Sequence, residues 1–331
     1  MTSILAQIAP QRSTQYSALA SALAPHELQL CPVGGAICSD VVPVTLGGQE
    51  YLRFDLGQPL DIEQSRELGL LSTCSAFFLF HDSVGGVPGP FLQPLETGFT
   101  PSLPPQLVTA RRYRGKTNEL FTHFLCNVAR YSSFYARQPW SSLRLYDPLA
   151  GGGTTLFTAL ILGADAAGVE KSAQDIKSTV AFLRQFTREQ RISSAVQEER
   201  LRKLGQRWTY TLGKNSPQRC ILVRGDTAQS AALLGGFKPH LIVADLPYGI
   251  QHQGPLIDLL SEALPVWASL LPKGGALVYS WDATRFPREE MLALVERVET
   301  LQPHVAPPYD RLAHGVDRVI KERDVLVARR I

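Results

Sequence analysis

Asp147-Pro148-Leu149-Ala150-Gly151-Gly152-Gly153-Thr154-Thr155 follows the run Leu143 to Tyr146 and leads into Leu156-Phe157-Thr158-Ala159-Leu160-Ile161-Leu162. The pattern reads as a buried strand, a glycine turn, and a helix whose first backbone N–H groups have no partner inside the helix. Glycine lets the backbone approach a ligand closely, and a helix N-terminus favours a carboxylate or phosphate. Two phosphate-binding patterns fail here. A dinucleotide fingerprint that starts at Gly151 needs glycine or alanine where Leu156 stands, and a P-loop needs a lysine where Thr154 follows Gly153. The turn alone leaves its ligand open, so the residues downstream must decide it.

Downstream the chain alternates. Asp165 to Glu170 is a short strand ending in an acid, and Ser172 caps a helix carrying Ile176, Val180, Leu183 and Phe186. Cys220 to Arg224 is a strand followed by Gly225-Asp226, and His240 to Asp245 is another that runs into Leu246-Pro247-Tyr248-Gly249. A helix over 255–271, a strand over 275–281, a helix over 287–298 and a last strand over 323–328 complete the series. Alternation of this kind implies a mostly parallel sheet with helices on both faces, whose ligands bind beyond the carboxyl ends of the strands. Ahead of the glycine turn, Leu120, Phe124 and Val128 mark an amphipathic helix over 117–131 that Thr117 can cap. The charged segment 184–219 reads as irregular, with a helix over 196–204. Its cations surround Trp208 and Tyr210, a pattern that suits looped RNA or, equally, a solvated insertion.

Residues 1–110 read as a small α+β N-terminal accessory domain, and 111–331 as the α/β domain. The first contains a helix over 15–23, a hairpin over 41–56 about Gly47-Gly48, a helix over 60–70 and a strand over 76–80. His26 and His81 stand alone and read as structural or solvent-facing. Glycines and prolines from Asp82 to Pro105 suggest a long linker. It ends in Arg111-Arg112-Tyr113-Arg114-Gly115-Lys116, where Arg112 and Arg114 are candidates for phosphate contacts at the mouth of a site.

Bulk properties narrow the setting. With 331 residues, 44 % of them hydrophobic, the chain is long enough for two globular domains. A net charge of +3 announces no global basic field, so any nucleic-acid footprint must be local. Five scattered cysteines form no Cys-x-x-Cys, so neither a metal site nor a disulfide frame is expected, and a reduced cytoplasmic setting fits. No signal peptide and no run near the ~20 apolar residues of a membrane span is visible, which points to a soluble protein without a membrane partner. Oligomeric state stays open.

The acids at the strand ends carry the chemistry. Glu170 stands where a carboxylate can accept bonds from both hydroxyls of a ribose, the alternative being a simple helix-start acid. Asp226 lies at the level of an adenine amino group, or is a turn aspartate. Asp245-Leu246-Pro247-Tyr248 suits methyl transfer to an aromatic amine. Such an amine is a poor nucleophile until its lone pair is freed from the ring. The Asp245 carboxylate and the Leu246 carbonyl can accept its two N–H bonds, Pro247 stiffens the turn, and Tyr248 offers a face for a base.

As a set these motifs resemble the class I S-adenosylmethionine-dependent methyltransferases that modify exocyclic amines. Their first motif usually reads Asp-Pro-Phe/Met-Cys/Gly-Gly-Ser/Gly-Gly and their fourth Asp/Asn-Pro-Pro-Tyr/Phe. The form Asp245-Leu246-Pro247-Tyr248-Gly249 is similar to the guanine-N2 methyltransferases of tRNA and their ribosomal-RNA relatives, a group often joined to a THUMP domain. The resemblance covers about residues 111–331 and implies a Rossmann-like domain with a seven-stranded sheet. It also implies S-adenosylmethionine held by Asp147, Pro148, Ala150, Gly151, Gly153, Thr154, Thr155, Glu170, Lys171, Asp226 and Thr227. Lys116 and Thr117 would line the same pocket from the start of the preceding helix. RNA, tRNA foremost, is the implied partner, with Arg112, Arg114, Gly249 and His252 as substrate contacts. Adenine-N6 methylation of DNA or RNA, and a non-catalytic RNA-binding role, are the alternatives.

Overall fold

The computed structural model describes residues 2–11, 16, 18–113, 115–247, 254–316 and 320–331. The chain forms two compact units, Met1–Thr100 with Ala306–Arg323, and Pro101–Val305 with Asp324–Ile331. The first unit thus takes in a late return of the chain that a single division after residue 110 does not contain.

In the first unit the elements are β1 (Thr2–Ile8), α1 (Leu19–Leu30), β2 (Val42–Leu46), β3 (Gln49–Leu56), α2 (Ile62–Gly69), β4 (Cys74–Val84) and β5 (Val87–Pro94). They build an antiparallel sheet of order β2-β3-β1-β4-β5. Gly47 and Gly48 turn the β2–β3 hairpin at φ 56° and 76°, a conformation that glycine adopts without a Cβ penalty. α2 starts on a capping box between Asp61 and Gln64. The expected linker from Asp82 is in part a hairpin, since β4 runs to Val84 and turns through Gly85-Gly86 into β5. Pro88, Pro90 and Pro94 do not prevent this because β5 is an edge strand, where a missing N–H is tolerated. Behind the sheet, Glu27 of α1 is fully buried. Its Oε1 accepts from Ser72 N (3.0 Å) and Ser72 Oγ (2.8 Å), and its Oε2 from Thr73 N (2.9 Å) and Thr73 Oγ1 (2.6 Å).

The second unit contributes α3 (Gln106–Thr109), α4 (Glu119–Ser132), β6 (Arg144–Asp147), α5 (Thr154–Leu162), β7 (Asp165–Glu170) and α6 (Ala173–Glu189). There follow β8 (Ser194–Leu201), β9 (Gly205–Leu212), β10 (Gln218–Arg224), α7 (Ser230–Leu233), β11 (Leu241–Asp245), α8 (Gly254–Leu270), β12 (Ala276–Asp282), α9 (Arg288–Glu296) and β13 (Leu301–Pro303). β14 (His314–Val316) belongs to the returning segment of the first unit and pairs there with the start of β15 (Ile320–Arg330), whose residues from Asp324 on belong to the second unit. The large sheet runs β13-β15-β12-β11-β6-β7-β10-β9-β8. β6, β7, β10, β11 and β12 pair in parallel, whereas β8, β9 and β13 join antiparallel.

The sheet is therefore mixed and larger than the seven strands expected, because β8 and β9 extend its edge beyond β10. The helix expected over 196–204 is this hairpin. Alternation decides it: Trp208, Tyr210 and Leu212 of β9 point inward, while most of β8 is exposed as a charged edge. Trp208 and Tyr210 are 6 % and 1 % exposed, so they are core residues and offer no stacking face to RNA. Between β6 and β11 the strand order reverses, β7 and β10 lying to one side and β12 to the other. In sheets of this kind a strand-order reversal marks where ligands bind, here beyond the carboxyl ends of β6 and β11. Among the described residues no helix is long and apolar enough to cross a membrane.

Candidate active site

The glycine turn is built on β6 and β7. Asp147 ends β6 and is 3 % exposed. Its Oδ1 accepts from the Leu149 N–H at 2.9 Å. Gly151 and Gly153 adopt φ 48° and 86°, and a Cβ added to Gly151 would meet nothing within 4 Å. The turn is thus open on that side. Gly168, the register partner of Asp147, leaves room for it underneath, where an added Cβ would come within 2.7 Å of Ala150 and Leu156. Glu170 ties the turn down: the Gly151 N–H donates to its Oε2 at 2.9 Å and the Ser172 N–H to its Oε1 at 2.6 Å. Pro148, Ala150, Thr154 and Thr155 are buried in the same turn.

Burial is the leading cause that raises the Asp147 carboxyl from 3.8 to about 7; the Thr155 hydroxyl and the Leu149 N–H pull it down, and Asp245 and Glu170 push it up. The three acids are thus electrostatic neighbours. Because folding raises this pKa, the folded protein holds a proton on Asp147 at pH values where the unfolded chain has released it. The contribution to stability is complete below about pH 4 and is lost as the pH rises through about 7. Asp147→Asn has no proton to lose, so its urea midpoint is expected to fall less than the wild type's between about pH 4 and about pH 8.

Asp245 ends β11. Its Oδ2 accepts from Thr117 Oγ1 at 2.5 Å and its Oδ1 from Ser280 Oγ at 2.5 Å. The Leu246 N–H donates to the Ser280 carbonyl at 2.9 Å. Leu246 is buried and Pro247 exposed. Thr117 reaches the acid because it is not the helix cap it was expected to be. α4 starts one residue later, with the Asn118 side chain accepting from Phe121 N at 3.1 Å.

A strap ahead of α4 lies over the glycine turn. The Arg111 guanidinium donates to the Gly152 carbonyl at 2.6 Å, to Thr179 Oγ1 at 2.8 Å and to the Ser178 hydroxyl. It also stacks on Tyr113, 4.8 Å from the ring centroid. The Tyr113 hydroxyl bonds Thr154 Oγ1 at 2.6 Å, and its ring fills the space over Gly152, where an added Cβ would fall 2.1 Å from it. Lys116 Nζ donates to the carbonyls of Val108 (2.5 Å) and Arg111 (2.9 Å) and pairs with Glu119. These use its three donors, so the ammonium holds the strap together. Arg112 is exposed.

Asp226 closes the other end. It caps the turn Thr227–Gln229 through the Ala228 N–H (3.1 Å) and pairs with Lys171 at 3.2 Å, which together hold its carboxyl below the usual range. The Thr227 hydroxyl accepts the Trp267 indole N–H at 2.9 Å and so faces the core. Tyr248, Gly249, His252 and Arg114 lie outside the described residues.

The structure thus brings Thr117, Asp147, Gly151, Glu170 and Asp245 to one crevice. Arg111, Tyr113 and Ser280 were missed from the sequence. Arg111 and Tyr113 were visible as part of the basic cluster, whereas Ser280 becomes legible only through the parallel register that sets it beside Asp245. Among the described residues no cluster of His, Cys, Asp and Glu is arranged to hold a metal.

No protein-family model matches this sequence, and no curated protein matches it. Among solved structures the chain is similar to TrmN from Thermus thermophilus, at 14 % identity and a TM-score of 0.47 over 100 % of both chains. It is also similar to the rRNA methyltransferase aviRa from Streptomyces viridochromogenes, at 13 % identity and a TM-score of 0.40, covering 69 % of this chain and 90 % of that one. A third is the magnesium protoporphyrin IX methyltransferase of Synechocystis with bound S-adenosylmethionine, at 14 % identity and a TM-score of 0.41, covering 66 % and 87 %.

Proposed function

We propose that this protein transfers a methyl group from S-adenosylmethionine to an exocyclic amine of a nucleobase in RNA, guanine N2 of tRNA being the favoured target. The observation that carries this reading is Asp245, a carboxylate held at the end of β11 as an electrostatic neighbour of Asp147 in the glycine turn of β6; the Leu246 carbonyl is proposed as the second acceptor. Two acceptors at adjacent positions match the two N–H bonds of an aromatic amine, and holding them turns the amine lone pair out of the ring.

The crevice fits the cofactor. Gly151 leaves open space for the methionine part, and a carboxylate offers about four lone-pair sites, of which Glu170 spends two on the Gly151 and Ser172 N–H groups. The others are available to ribose hydroxyls, and Asp226, beside β10, marks the adenine end. When bound, S-adenosylmethionine supplies a methyl group made electrophilic by its sulfonium. The chain's part is to hold the amine in line with it. Asp147, Pro148, Ala150, Gly153, Thr154 and Thr155 shape the turn; Thr117 and Lys171 flank the pocket, while Lys116 holds the strap and the Thr227 hydroxyl faces the core. Tyr248 is proposed as the stacking face for the base, with Gly249, His252, Arg112 and Arg114 toward RNA. Residues 1–110 are proposed to assist RNA docking.

Glu170→Ala is expected to weaken S-adenosylmethionine binding by roughly 1.5–3 kcal/mol, about ten- to a hundredfold by calorimetry. Glu170→Gln, which keeps one acceptor for the backbone, is expected to lose less. Equal affinity in all three proteins would remove the ribose role. The reading as a whole is tested by mass spectrometry of RNA nucleosides from cells with and without the gene. Loss of N2-methylguanosine supports it, whereas loss of N6-methyladenosine instead would reassign the base.

A further inference from the structure

We infer that Thr117 and Ser280 are positioning residues for Asp245, two hydroxyl donors that lock its carboxylate plane and so aim the acid at the substrate amine. The inference rests on the amine-methylation reading and adds to it the machinery that makes Asp245 effective.

An aspartate carboxylate turns about a broad terminal torsion, so a lone Asp245 would present no fixed acceptor direction. Each of its oxygens instead receives one of these O–H groups, Thr117 Oγ1 donating to Oδ2 and Ser280 Oγ to Oδ1. A donor on each oxygen fixes the plane of the carboxylate.

The donors come from separate elements, which points to a built arrangement. Ser280 is fully buried in β12 and is the register partner of Asp245. Its hydroxyl is held by the sheet itself. Thr117 arrives from the strap, available for this contact because Asn118 caps α4. The same strap grips the Gly152 carbonyl through Arg111. One short segment therefore touches both the glycine turn and the acid that faces the amine.

Steady-state methyl transfer to RNA by the purified full chain tests this, with wild type, Ser280→Ala, Thr117→Val and the conservative Thr117→Ser. Far-UV circular dichroism and a cooperative thermal transition confirm that each variant is folded. Expected are losses in kcat of about ten- to a hundredfold for Ser280→Ala and Thr117→Val, with KM for RNA within about threefold and recovery of most of the rate in Thr117→Ser. In an Asp245→Asn background, Ser280→Ala is expected to cost much less, since the carboxylate it serves is gone. An active wild type whose Ser280→Ala and Thr117→Val forms keep full kcat overturns the positioning role alone. Losses that Thr117→Ser does not recover, or that persist undiminished in the Asp245→Asn background, overturn it too and assign the pair to packing. A folded wild type that binds S-adenosylmethionine and methylates no RNA overturns the functional reading and this inference together.

Discussion

Asp245→Ala is expected to lower kcat for methyl transfer about a thousandfold while S-adenosylmethionine binds within about threefold of wild type. The size of the effect follows from what the carboxylate does. An aromatic amine shares its lone pair with the ring, and the free-energy cost of withdrawing it must be met by acceptors already in place. In the proposed reaction Asp245 is such an acceptor, held by the Thr117 and Ser280 hydroxyls at 2.5 Å each. Alanine removes both oxygens and leaves those two donors facing a void. Cofactor affinity should survive because the glycine turn is fixed by Glu170 and by the strap. Asp245→Asn keeps one carbonyl oxygen and nearly the same shape, so a loss nearer ten- to a hundredfold is expected. Single-turnover rates with saturating cofactor, set beside calorimetric affinities, check both numbers. An Asp245→Ala protein with normal turnover would end the assignment.

The second large effect lies in the first unit. Glu27→Ala is expected to destabilise it by about 4 kcal/mol. The Glu27 carboxylate is the acceptor for two backbone N–H groups and two hydroxyls of Ser72 and Thr73, within a fully buried setting. Alanine strands those donors away from water, and each buried donor without a partner costs about 1–3 kcal/mol. Glu27→Gln retains one oxygen but turns an NH2 group toward one of the donor pairs, so roughly half the loss is expected. All four tryptophans, Trp140, Trp208, Trp267 and Trp281, belong to the second unit, so fluorescence would not report this unfolding. Amide hydrogen exchange will: protection of the β1 and β4 amides should fall by about a thousandfold in Glu27→Ala. Unchanged exchange there would show that the carboxylate is dispensable.

Much of the second unit was legible because its signals are local. The alternation of apolar runs with amphipathic stretches is written residue by residue, and β6, α5, β7, α6, β10, β11, α8, β12 and α9 fall where the periodicity puts them. The errors came where composition outweighed period. The segment 194–212 is dense in charge, which masks a two-residue alternation whose buried face is Trp208, Tyr210 and Leu212. The segment from Asp82 looked like a linker because proline and glycine usually break structure, and only its place at a sheet edge makes β5 possible. Thr117 was mistaken for a cap because Thr117 and Asn118 are both good capping residues, and local sequence does not choose between neighbours.

By itself the sequence determined the glycine turn, the acids at the strand ends and the alternation of strands and helices from β6 to α6 and from β10 to α9, since each depends on residues close together in the chain. What it did not contain was the sheet's register and strand order, which depend on pairings made across long separations. Only the tertiary structure set Ser280 beside Asp245, brought Thr117 to the other oxygen, and laid Tyr113 over Gly152. The glycine turn of 147–155 was readable as a strand-to-helix turn from its own residues. The company it keeps was decided by the reversal of strand order between β6 and β11, because that reversal puts two strand ends from distant parts of the chain on one crevice.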